Sequence, residues 1–100
     1  MKKSFPLHIQ GKADARVVEQ VKHDVRKYVQ RERRKTLPPE FSLWEFTCKV
    51  GPGAASAEDV SLGEIGPAID TVVRTGAESV YVEVLAVPSH RPPSPPAVSG

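Results

Sequence analysis

Most of the side chains in this sequence that could do chemistry are cations. Residues 26–35, RKYVQRERRK, carry six positive charges and one negative. At about 100° per residue, Arg16, Gln20, His23, Lys27, Arg31 and Arg34 fall on one line of a helix, and no acid stands in that line. Lys22, Arg26 and Arg33 form a second flank. Phosphates suit such a line, because neutralising them releases their counterions. The competing account is a solvated face. An amphipathic helix must put charge in water, and cations in its last turn offset the negative end of the helix dipole. Asp24 and Glu32 border the line and partly neutralise it.

Other chemistries find little material. His8, His23 and His90 are far apart in the chain, and Glu19 with His23 is a pair where a metal site wants three or four ligands. Cys48 alternates with Trp44 and Phe46, which marks it as a small core hydrophobe rather than a nucleophile. No Ser/His/Asp order and no paired-carboxylate motif stands out. The turn Gly51-Pro52-Gly53 leads into small residues and a strand pattern, not into a helix opening with Lys-Ser/Thr, so it is not a phosphate-binding loop. The expectation is no catalytic residue, no metal and no cofactor. An enzyme would need a deep pocket lined by His8, Tyr81 or Glu83.

The elements that would carry these residues can be read from periodicity. KSFPLHI alternates Phe5, Leu7 and Ile9 against Pro6, His8 and Gln10, a strand over 3–10 with one wet face. Pro6 lacks an N–H, so it belongs at a sheet edge or where no donor is needed. Asp14 is placed to cap a helix reaching about Lys35, with Val17, Val18, Val21, Val25, Tyr28 and Val29 on its inner side and Leu37-Pro38-Pro39 ending it. Valine is a mediocre helix former, so burial must help to hold this helix. Residues 43–50 alternate Trp44, Phe46, Cys48 and Val50 against Glu45, Thr47 and Lys49. Residues 58–62 read as a short strand. A capping box at Ser61 would instead start a helix, but Pro67 fits better as the first residue of a helix over 67–75 capped at Gly66 and closed by Gly76. The last strand turns Val80, Val82, Val84 and Ala86 inward and Tyr81, Glu83, Leu85 and Val87 outward.

Strand, helix, strand, strand, helix, strand is an α+β order. It fits a two-layer, ferredoxin-like split βαβ plan with both helices on one face of an antiparallel sheet. That plan puts the first and third strands at the centre of the sheet. A three-stranded βαβαβ layer is the alternative if 58–62 is loop. Residues 1–88 form one domain, and 89–100, rich in proline and without apolar periodicity, read as a disordered tail.

The totals agree with a small soluble domain of 100 residues. A single cysteine excludes an internal disulfide and suits a reducing compartment. MKKSFPLHIQ lacks the apolar run of a signal peptide, and no stretch is long and apolar enough to span a membrane, so the expectation is cytoplasmic. Charge is divided unevenly: residues 1–35 hold eleven Lys/Arg and four Asp/Glu, residues 36–100 three and eight. That division gives a dipolar surface.

KHDVRKYVQRERRKTLP (22–38), with MKKSFPLHI before it and ESVYVEVLAVPSHR (78–91) after it, resembles a set of short bacterial proteins grouped as a domain of unknown function. The proline-rich end and Gly66-Pro67 depart from that set. The resemblance implies a bacterial, cytoplasmic origin and transfers no activity. Two functions follow from the residues. One is a non-enzymatic module holding nucleic acid, another polyanion or an acidic protein through Arg16, Lys22, Arg26, Lys27, Arg31, Arg33 and Arg34. The other is a protein-interaction module, homodimeric or with a different partner, using His8, Glu45, Tyr81, Glu83 and Leu85 on an open sheet face.

Overall fold

Period-two alternation builds four strands, β1 (Lys2–Pro6), β2 (Leu43–Gly51), β3 (Glu58–Val60) and β4 (Ser79–Ser89), in the computed structural model, which describes residues 1–90. Helical periodicity builds α1 (Asp14–Arg33) and α2 (Ile65–Arg74). The strands form one antiparallel sheet in the order β1-β4-β2-β3. Inward-facing Phe5, Cys48, Val50, Val80, Val82 and Val84 join the buried residues of both helices in a single cluster, so both helices cover the same face. The α+β class and the two-layer, split βαβ plan therefore hold. β4 separates β1 from β2, and β2 separates β3 from β4. The three-stranded alternative does not hold, because Glu58–Val60 pairs with Val50, Lys49 and Cys48.

The strand order differs from the expected one. The first and third strands are the edges, and the second and fourth are central. Backbone pairing explains this. β4, at eleven residues, and β2, at nine, have the longest runs of N–H and C=O groups to satisfy, whereas β3 has three residues. β1 ends in Pro6. Val84 and Met1 exchange hydrogen bonds at 2.8 and 2.7 Å, which fixes the alternation along β1 and turns the nitrogen of Pro6 away from β4. That is the edge position that proline's missing donor favours.

The valine ridge of α1 is buried as expected: Val17, Val18, Val21, Val25 and Val29 are each less than 10% exposed. The helix is continuous over 20 residues, about 30 Å. Two details change. Asp14 is the first helical residue and Ala13 the N-cap, with no side-chain cap, so Asp14 meets the positive helix end as a charge rather than as a capping acceptor. β1 also stops at Pro6, leaving Leu7 buried in the connection with its N–H donating to Glu78 O at 2.9 Å.

α2 begins earlier than expected. Ser61 opens a 3-10 turn over Leu62–Glu64, in which Glu64 N donates to Ser61 O at 2.9 Å, and α2 follows directly. Pro67 is then the third residue of α2, still within the first turn, where no intrahelical donor is lost. The earlier start buries Ile65, and Gly76 closes the helix at φ +81 as anticipated. β4 runs to Ser89, past the boundary set at 88, and His90 stacks on Phe41 with ring centroids 5.0 Å apart. The stretch read as a disordered tail lies, from residue 91 on, outside the described residues.

Candidate polyanion-binding helix and open sheet face

Because the valines of α1 face the sheet, its cations face solvent. Arg16, Gln20, His23, Lys27, Arg31 and Arg34 are all exposed and keep the single line that their spacing implies. Among the described residues, no carboxylate lies within 4.0 Å of Arg16, Arg26, Lys27, Arg31, Arg33 or Arg34. Arg31 rests over the Tyr28 ring at 5.6 Å and Arg33 over the Phe46 ring at 5.5 Å, and both remain exposed. These ring contacts orient the guanidiniums without neutralising them. Of the bordering acids, Glu32 is largely buried and paired with Lys35 at 2.7 Å, and Asp24 accepts from Gln20 at 2.8 Å.

Lys22 differs from the other candidates. Its Nζ lies 2.9 Å from Asp70 on α2 and 3.7 Å from Glu19, and the side chain is 17% exposed. It ties the two helices together and is not free for an anion. Beside it, a cleft of about 370 Å³ between α1 and the start of α2 has an apolar floor that includes Val25, Val29 and Ile65, with Arg26 and Arg33 at its rim.

Glu45, Tyr81, Glu83 and Leu85 lie on the outward side of the sheet, as the alternation implied. His8 does not join them. It follows β1 in the connection to α1, with Nδ1 3.1 Å from Asp14 Oδ2. The Tyr81 hydroxyl donates to Glu83 Oε1 at 2.9 Å, and Ser89 Oγ donates to Glu45 Oε2 at 3.3 Å. The hydrogen bond to Glu83 raises the Tyr81 phenol above its ordinary value of 10.0; burial and the Glu83 charge add to it. Leu85 and Val87 are 37% and 41% exposed on this face.

With β2 and β4 central, Tyr81 is the one aromatic ring among their outward positions. RNA-binding sheets of this build stack two or three bases on such rings, against the one ring here. His8 is off the sheet face and lies apart from Tyr81 and Glu83. The 370 Å³ cleft and a second of about 580 Å³, beside α1 and β1, are lined by none of the three. Cys48 is buried in the core, where desolvation raises its thiol above the usual value of 9.0.

Sequence reading missed several outward residues. The register places Lys2, Glu83, Lys49 and Asp59 side by side across all four strands. The outward direction of Glu83, Lys49 and Asp59 was legible from alternation, Lys2 lay outside the strand expected over 3–10, and the alignment of all four depends on strand order. Among the described residues no helix is long and apolar enough to cross a membrane, and no group of three or more His, Cys, Asp and Glu side chains is placed to hold a metal.

No curated protein and no solved structure matches the chain. The model of one family does match, over residues 1–94, in agreement with the resemblance carried by 22–38 and 78–91. The chain belongs to that family, DUF6172, a family of unknown function.

Proposed function

We propose that this protein is a non-enzymatic nucleic-acid-binding module of the bacterial cytoplasm that grips the phosphate backbone with the outer side of α1. The observation that carries this reading is the run of six exposed cations, Arg16, Arg26, Lys27, Arg31, Arg33 and Arg34, with no carboxylate within 4.0 Å among the described residues. A face that only needed to be wet would gain from pairing its charges along the helix at three- and four-residue spacings, as Lys35 does with Glu32. The remaining cations are left for an external anion. They sit on a rigid helix about 30 Å long, comparable to one turn of duplex DNA. The contacts go to phosphate, so the module reads charge rather than base sequence. A lone buried thiol supports the cytoplasmic assignment.

Fluorescence anisotropy with a labelled duplex, at about 50 and about 200 mM salt, tests the proposal. If about five phosphates are neutralised, affinity falls several hundredfold between these salts, a slope of about −4.5. Lys27→Glu combined with Arg31→Glu, both outside the core, weakens binding at least about hundredfold and flattens the slope. No binding at the lower salt, or equal binding by the double variant, would overturn the reading.

A further inference from the structure

We infer that the open face of the sheet is the interface of a two-fold homodimer, with the axis running along the strands between β4 and β2. The argument starts from the charges Lys2, Glu83, Lys49 and Asp59. They alternate in sign across β1, β4, β2 and β3, because Lys2 pairs with Glu83, Glu83 with Lys49, and Lys49 with Asp59. Among the described residues, none of the four is in an ion pair. A two-fold axis along the strands lays a second sheet over the first with strand order reversed and level preserved. Lys2 then faces Asp59 of the other copy, and Glu83 faces its Lys49. Every charge in the row meets its opposite. An axis across the strands would lay like charge on like charge, so the row selects one arrangement.

Other outward residues fit the same operation. Leu85 meets the methyl of Thr47, and Val87 meets the stem of Glu45. Leu85 and Val87, the large apolar side chains most exposed on this face, are thereby covered. Sheets pack about 10 Å apart and nearly aligned, a spacing these side chains can fill.

Size sets the strength. Under this operation 22 strand residues of one copy lie over strands of the other, each covering about 16 Å² of sheet, or about 350 Å² in all. A standard interface covers about 800 Å² per partner, so this is a weak, reversible dimer rather than an obligate one.

Sedimentation of the full chain from about 1 µM to about 1 mM should show monomer passing to dimer. Lys49→Glu and Glu83→Lys each set like charges face to face and should weaken self-association at least about tenfold. Mixed together, the two single variants form opposite pairs at both central positions and should associate more strongly than either does alone. Wild type that stays monomeric at about 1 mM, or variants that stay apart when mixed while wild type dimerises, would overturn the inference. Because the readout is pairing of two folded variants, loss of one through misfolding is recognised from its circular dichroism, and Lys49→Gln with Glu83→Gln then repeats the single-variant arm.

Discussion

Tyr81 and Glu83 show how much one outward pair depends on its hydrogen bond. The phenol donates to the carboxylate at 2.9 Å, and this bond, ahead of burial and the nearby charge, raises the phenol above its ordinary value. The protonated phenol is the donor, so any stability the bond contributes is present below the ordinary tyrosine range. It is lost as pH rises through the raised value. Glu83→Gln removes the charge and weakens the acceptor. Ultraviolet titration should then show the Tyr81 midpoint moving down toward that of a free tyrosine, and an unchanged midpoint would mean that the bond is not its cause. Lys22 makes the complementary point. Its sequence position suggested an anion ligand, but its contacts with Asp70 and Glu19 make it a tie between helices.

At the scale of elements, the connection between β2 and β3 leaves least room for change. Gly51 ends β2 where the chain folds back, and a Cβ there would stand 2.6 Å from Ala57 Cα and 2.8 Å from Ser56 O. Both neighbours are backbone, so neither can rotate away. The loop is also held by reciprocal bonds, Gly53 N donating to Ser56 Oγ at 3.2 Å and Ser56 Oγ to Gly53 O at 3.3 Å. Gly51→Ala must move the loop and is expected to destabilise the fold by about 1–3 kcal/mol, read as a lower urea midpoint with an unchanged slope. α1 is more tolerant on its outer side. Lys27 and Arg34 are exposed and without a charge partner among the described residues, so reversing them changes the surface and leaves the valine ridge intact.

For the whole molecule, the two-layer build separates its two proposed surfaces. Helices cover one face of the sheet, and the alternating charge row lies on the other. A back-to-back dimer would carry its two α1 helices on opposite outer sides, where each could hold a separate nucleic-acid segment. The surfaces should then respond independently. Lys27→Glu with Arg31→Glu should abolish duplex binding with self-association within about threefold of wild type, while Lys49→Glu should reduce self-association with affinity for a short duplex within about threefold. Anisotropy and sedimentation on the same three proteins check both. Joint loss in either variant would mean that one surface requires the other.

Local periodicity was enough to place the valine ridge of α1, the inward Val80, Val82 and Val84, the outward Tyr81, Glu83 and Leu85, and the exposed line from Arg16 to Arg34. Each depends on the angle between neighbours along one element, which the chain's own geometry sets. Element ends were less legible, as the earlier start of α2 shows, because the 3-10 turn at Ser61 lets Pro67 enter as a first-turn residue. Strand order, the pairing of Lys22 with Asp70, the place of His8 beside Asp14 and the row from Lys2 to Asp59 came only with the folded chain. These join residues distant in sequence or depend on which strands meet, and period-two alternation reads the same whichever strand lies alongside. Pro6 carried a hint that β1 is an edge, since a missing donor is cheapest there. The decision rested on satisfying both sides of the long β2 and β4 backbones, a condition of the sheet as a whole.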